Sequence, residues 1–239
     1  MGNETRPRTL TNLNLPAFHH SSSHNSSRTS INQTNRQGPT VKLLIATNTA
    51  HKLKEIREIL SGSDIVLQSL LDRPDLPEPP EDGLTFEANA LQKARTIQSQ
   101  VGGVVLADDS GLEVDALGGA PGVHSKRFSA EGTAASNNQL LLDRMADVTL
   151  RTARFRCVLA LVSPHYEGTV DGGCEGQIAT GTTGTQGFGY DPLFVPAELD
   201  GRTMAEASMQ EKNAISHRGR AFRRLSELLD AAAAAERAR

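Results

Sequence analysis

The 239-residue chain has no tryptophan, only two cysteines and 4% aromatic residues. The missing tryptophan excludes nothing. Cys157 and Cys174 fall in separate predicted strands and form no metal-ligand pattern, so both are expected to be buried and reduced. No apolar run approaches the ~20 residues of a membrane span, so no membrane partner is expected. A net charge of -3 supplies no basic surface for nucleic acid. The chain has no P-loop motif and no Gly-x-Gly-x-x-Gly after a strand, and Ser110, His124 and His217 show no triad spacing. What remains is a globular composition, 37% hydrophobic and 22% charged, with length for one domain or two small ones.

Residues 1–40 stand apart. Asn, Ser and Thr dominate, apolar residues are scattered, and Arg6, Arg8, Arg28 and Arg36 face a single acid, Glu4. This composition predicts a disordered, low-complexity tail. It also matches an organelle transit peptide, and a basic arm for RNA or a protein partner is a third reading. The folded domain is expected over residues 41–239, in the cytoplasm unless the tail directs it elsewhere.

Residues 41–46 read as a strand buried on both faces. Residues 47–50 form a polar turn, and 51–60 a helix with Leu53, Ile56 and Leu60 on one face. Strand, turn and helix open a βαβ unit. A helix N-terminus has unpaired N–H groups, and with Lys52 they make Thr47, Asn48, Thr49, Ala50, His51 and Lys52 a candidate phosphate cradle. The plain alternative is that Thr47 or Asn48 caps the helix. A short strand at 65–68 and a Pro-rich acidic loop over 72–83 follow, then a helix from Thr85 to about Gln98 and a strand over 104–108. Beyond lie a helix at 137–145, strands at 155–162 and 169–178, a Gly/Thr loop over 181–190, an extended stretch at 191–196, and helices at 208–213 and from 218 onward. The class is α/β.

The strand at 104–108 is predicted to stop on Asp108 and Asp109, with Ser110 and Gly111 turning the chain. Adjacent extended residues point to opposite faces, so one carboxylate is expected to face a site and the other to hold the turn. With Glu78 or Glu81 in the acidic loop, it forms a donor set for a hard cation such as Mg²⁺, which positions and acidifies water and neutralises phosphate oxygens. The plain reading is a solvated turn and loop. Phe188 and Tyr190 sit among glycines at 187–189 before Asp191, suited to stacking on a base or to filling the core. Lys212, His217 and Arg218 gather at a helix start, where the cations suit phosphate or a carbonyl acceptor and His217 alone reads as a structural hydrogen-bonding group.

Together these segments resemble the inosine/xanthosine triphosphate pyrophosphatase family. The matching stretches are 44–47 through 52–55, 83–86 with Asn89-Ala90 and Lys93-Ala94, 107–125, 187–196 and 211–219. They occur in the family's order and cover nearly all of residues 41–230, while residues 1–40 have no counterpart. The resemblance implies an elongated, two-lobed α/β fold with a long mixed central sheet and an active site in the cleft between lobes. It implies a homodimer that hydrolyses ITP, dITP and XTP to the monophosphate and pyrophosphate with Mg²⁺. By the same resemblance residues 47–52 hold the triphosphate, and Asp109 is the general base or metal-linked carboxylate. Ser110 contacts substrate, and Glu81, with Glu78 as the alternative, is the second metal carboxylate. Phe188, Gly189, Tyr190 and Asp191 border the nucleoside, and Lys212, His217 and Arg218 contact base or phosphates.

Three departures stand out. Asn48-Thr49 replaces the family's Gly-Asn, Ala88 replaces a Glu, and Thr182 replaces a Pro. Two other functions fit a related scaffold: a pyrophosphatase for pyrimidine or modified-base triphosphates, and a nucleotide-binding sensor without turnover.

Overall fold

The computed structural model describes residues 41–239; the expectations for residues 1–40 lie outside them. Six strands form one mixed sheet in the order β2-β1-β3-β4-β5-β6. β1 (Val41–Ile45) runs parallel to β2 (Ile65–Ser69) and to β3 (Val105–Val114), and β3, β4 (Thr152–Val162), β5 (Glu167–Ile178) and β6 (Phe194–Pro196) are successively antiparallel. The α/β class and mixed central sheet expected from the sequence are present.

Helices cover the sheet because its strands are apolar on both faces. On one face, Leu43, Ile45, Leu106, Leu159 and Leu161 pack with α1 (Ala50–Ile59), α5 (His217–Arg223) and α6 (Leu225–Arg237). On the other, Leu44, Val105, Ala107 and Ala160 pack against Phe86, Ala90, Ala94 and Ile97 of α2 (Phe86–Val101). Thr85 caps α2 as predicted, accepting a hydrogen bond from the Ala88 N–H. A third core joins the far ends of β3, β4 and β5 to α3 (Ala134–Arg144), through Leu112, Leu141, Phe155, Leu193 and Phe194. The long strands β3 to β5 therefore run from the first two cores into the third. Cys157 and Cys174 lie buried and free in β4 and β5.

Two expectations need correction. β3 does not stop at Asp108: residues 108–111 continue the ladder, Asp109 opposite Val158 and Gly111 opposite Arg156. Both carboxylates find buried cationic or amide partners, which removes the cost that would have driven them into a solvated turn. Gly111 serves close approach rather than turning, since a Cβ there would lie 2.4 Å from Ser125 Oγ and 2.5 Å from the Gly122 carbonyl. The C-terminal helix is not continuous either. It breaks at Arg224 into α5 and α6, so that α5 carries His217 and Arg218 while α6 turns Leu225, Leu228 and Leu229 into the core.

Candidate active site

β1 ends at Ile45 while β3 continues for eight residues past its last pairing with β1 at Leu106. The edge of β3 that β1 leaves unpaired, beyond the carboxyl ends of the parallel strands, is where open α/β sheets place ligands. A cavity of about 480 Å³ occupies it, bounded by residues of the helix-covered half (Ala46, Leu70) and of the far core (Phe155, Tyr190). Of the site residues anticipated from the sequence, all but Ala50 line it, including both Glu78 and Glu81.

One end is shaped by the start of α1. Thr49 is the N-cap residue, extended at φ -80°, and its side chain makes no capping hydrogen bond; neither do Thr47 or Asn48 cap the helix. The Thr49 N–H instead donates to Thr47 Oγ1 at 3.3 Å. No acidic side chain sits in the first turn, so the first-turn N–H groups and the helix dipole meet the cavity uncompensated, as anion sites require. The missing family glycine costs no backbone strain: Asp200 is the single described non-glycine residue with positive φ, so Asn48 lies outside the left-handed region.

Asp108 and Asp109 diverge as adjacent strand residues must. Asp108 is wholly buried behind the cavity wall, its Oδ2 3.0 Å from Lys52 Nζ and 3.6 Å from Arg218. Burial alone would raise its pKa, but Lys52, Arg218 and Lys93 together hold it well below the usual carboxylate range. It holds cations, not a turn. Asp109 faces α2 and the cavity. Its Oδ2 accepts from Asn89 Nδ2 at 3.0 Å and its Oδ1 lies 3.2 Å from Lys93 Nζ, which also donates to Glu81 Oε1 at 2.8 Å. Burial pushes the Asp109 carboxyl up, with Lys93 and Lys52 pulling the other way. Glu81 is held down: its partial burial pushes up, but Lys93, with Lys52 and Lys126, outweighs it. Asn89 also binds the Gly83 N–H at 2.7 Å, tying the acidic loop to α2.

Along the cavity wall the charges form a continuous chain. Glu55 of α1 binds Lys212 at 2.6 Å and Arg218 at 2.5 Å. Lys212 also pairs with Asp191, and Arg218 donates to Ser110 Oγ at 2.9 Å. Lys212 sits on α4 (Met209–Ile215), capped at Ser208, and Ser216 caps α5 so that His217 and Arg218 begin it. His217 is buried, stacked on Phe155 at 4.7 Å. Burial and the neighbouring Arg218 and Lys212 keep its imidazole neutral, and its Nδ1 has no partner among the described residues.

The glycine-rich loop forms the facing wall. Gly187 has φ +74°, and a Cβ there would overlap Asp191 Oδ2, the atom that accepts from the Phe188 N–H at 2.7 Å. This tight turn holds Phe188 half-buried at the cavity rather than in the core, where its ring meets His51 at 5.6 Å with Lys212 Nζ 4.9 Å from its centroid. Tyr190 is buried and donates to the Ser125 carbonyl at 2.8 Å, while Asn138 binds the Gly189 carbonyl at 3.0 Å.

Sequence reasoning gave no role to Glu55, Lys93 or Asn89, although all three fall in matched stretches. Lys126, Ser125, Asn137 and Phe155 also line the cavity unanticipated. Among the described residues no group of three or more His, Cys, Asp or Glu side chains could hold a metal. Glu81 and Asp109 nonetheless converge on one cationic centre, and one or two carboxylates completed by water and phosphate are what Mg²⁺ uses. No helix among the described residues is long and apolar enough to cross a membrane.

Residues 43–228 match the Ham1 family. The dITP/XTP pyrophosphatase of Exiguobacterium sp. is 50% identical over 187 residues, covering 77% of this chain and 95% of the relative. That of Geobacter sulfurreducens is 50% identical over 192 residues, covering 79% and 96%. A solved HAM1 protein from Coxiella burnetii superposes with TM-score 0.71 at 40% identity over 80% of this chain and 98% of that one. The nucleoside-triphosphatase / dITP/XTP pyrophosphatase of Mycobacterium abscessus gives 0.64 at 45% identity over 77% and 98%. The matched span includes every residue that lines the cavity, and the chain belongs to the Ham1 family.

Proposed function

We propose that this chain hydrolyses the nonstandard purine nucleoside triphosphates ITP, dITP and XTP to the monophosphate and pyrophosphate. The observation that carries this reading is the lining of the cavity. An uncompensated helix N-terminus with Lys52, the aromatic rings of Phe188 and Tyr190, the buried cations Lys212 and Arg218, and one desolvated carboxylate, Asp109, all line the same space. The names of the relatives point the same way. Residues 47–52 and Lys93 bind the phosphates, and Phe188 with Tyr190, Lys212, His217 and Arg218 borders the nucleoside. Asp109 takes a proton from water as its oxygen bonds to the α-phosphorus and the bond from that phosphorus to the bridging oxygen breaks. Pyrophosphate leaves with that oxygen.

Mg²⁺, held by Glu81 and Asp109, would supply charge neutralisation of phosphate oxygens and an acidified water. Asn89 fixes the orientation of the Asp109 carboxylate. Lys212 and Arg218 at the base wall favour a 6-keto acceptor, and a 6-amino group sets donor against donor there, a mismatch that costs orders of magnitude in rate. The resemblance also supports a homodimer in solution, which sedimentation tests as twice the 25.6 kDa chain.

The deciding experiment is pyrophosphate release from ITP, XTP, dITP, ATP, GTP, UTP and dTTP, with Mg²⁺ and with chelator. Release from ITP and XTP that chelator abolishes is expected. A preference for UTP or dTTP overturns the purine assignment, and no release from any of them overturns turnover. Asp109→Asn is expected to lower kcat at least about 100-fold; near-wild-type turnover would remove Asp109 from the role of base.

A further inference from the structure

The imidazole of His51 stacks on the ring of Phe188, centroids 5.6 Å apart and planes 17° from parallel. The two rings come from opposite walls of the cavity. His51 stands in the first turn of α1, Phe188 on the glycine-rich loop, and both line the space between. Neither wall explains the contact alone. His51 is exposed, and among the described residues no hydrogen bond or ion pair holds its side chain. Phe188, in contrast, is fixed from behind, its N–H bound by Asp191 and the next residue's carbonyl by Asn138. One ring is anchored and the other is free to move about its side-chain torsions.

We propose that His51 is a base-side residue: its imidazole is the movable jaw of a clamp that holds the purine base against Phe188. This rests on the nucleotide reading above and changes one part of it, because residues 47–52 were read together as the phosphate cradle. The geometry divides that segment. Lys52 is drawn inward to Asp108 at 3.0 Å, while His51 turns across the cavity to an aromatic face. A flat base between two rings needs them about 7 Å apart, two contacts of van der Waals thickness. The present spacing is too small for it, so the rings cover each other and close the slot. The free jaw opens by a side-chain rotation that breaks no hydrogen bond, then seals the second face of the base. A stacked ring recognises the π-face of any base. His51 therefore sets affinity for the nucleoside, while discrimination among purines stays with the polar groups of the base wall.

The test separates the two ends of the ligand. Binding of inosine monophosphate and of inorganic triphosphate to the full chain is measured by calorimetry for the wild type, His51→Ala and His51→Phe. His51→Ala is expected to weaken inosine monophosphate about ten-fold and leave inorganic triphosphate unchanged. His51→Phe, which keeps a ring and removes both nitrogens, restores the affinity. His51→Trp adds a direct readout, because the chain has no other tryptophan: inosine monophosphate is expected to quench its emission, and inorganic triphosphate is not. Weakened triphosphate binding with intact inosine monophosphate binding in His51→Ala overturns the clamp in favour of a phosphate role. Unchanged binding of both overturns it outright, as does loss of inosine monophosphate binding that His51→Phe fails to restore. If the wild type binds inosine monophosphate through His51 yet releases no pyrophosphate from ITP, the clamp stands and the turnover reading fails. If the wild type binds neither probe, both fail.

Discussion

Lys93 is the residue on which the chemistry of Asp109 turns. Its ammonium is buried between Glu81 and Asp109, and burial would lower its pKa were Asp109, Asp108 and Glu81 not raising it further. Removing that charge leaves burial to act on Asp109 with less opposition. Lys93→Met is therefore expected to move the acid limb of the pH–rate profile to higher pH, because the base form of Asp109 is populated only at higher pH; an unmoved limb would show that Asp109 does not control it. Asp108 carries the opposite sign. Its folded pKa is depressed, so its ion pairs stabilise the fold fully above the unfolded carboxyl value, near 3.8, and that contribution is lost as pH falls. Asp108→Asn should lower urea stability at pH 7, and the gap from wild type should narrow as pH approaches 2. The roles of these residues were unevenly legible in the chain. The Asp108-Asp109 pair was conspicuous because carboxylates at the end of an apolar run stand out, but the choice of Asp109 came only through the resemblance. Glu55 was not conspicuous: it sits in an amphipathic helix where a glutamate reads as solvated, and its partner Arg218 is 163 positions away.

At the scale of elements, the position of α5 depends on a missing side chain. A Cβ on Gly172 of β5 would fall 2.3 Å from the His217 carbonyl oxygen and 2.5 Å from the Ala221 nitrogen. Both contacts are backbone and cannot swing aside. Gly172→Ala is expected to cost about 1–3 kcal/mol by overpacking and, because α5 begins with His217 and Arg218, to raise KM together with the loss in Tm. A drop in Tm with KM unchanged would mean that α5 holds its place. Most elements could be read from periodicity and caps: β1, the Thr85-capped α2, and the strand pair β4 and β5. β3 could not. Asp-Asp-Ser-Gly is turn chemistry locally, and only the amide, ammonium and guanidinium groups that α2, α1 and α5 bring to it turn it into strand. The break at Arg224 was invisible for a related reason, since no glycine or proline lies near it between residues 220 and 237 and tertiary packing imposes the bend.

At the scale of the whole molecule, the cavity lies between cores that share three strands, and the family match begins at residue 43. A chain starting at Val41 is accordingly expected to keep the Tm and the ITP turnover of the full protein. A fall in either would give residues 1–40 a part in the fold or the site. The resemblance implied a long mixed sheet but no strand order, and the sequence offered none, because pairings such as Leu44 with Val105 join segments that no local pattern connects. The chain of charges along the cavity wall has a consequence for how the protein assembles. Lys52 and Glu55 come from α1, Asp108 from β3, Asp191 from the glycine-rich loop, Lys212 from α4 and Arg218 from α5. Each anion is neutralised only by cations on other segments, so any partly formed version leaves a naked buried charge, which is strongly unfavourable. Folding intermediates with a half-built pocket are thereby penalised, and the ligand-binding region is expected to appear in one cooperative step, late, once the last helices have docked.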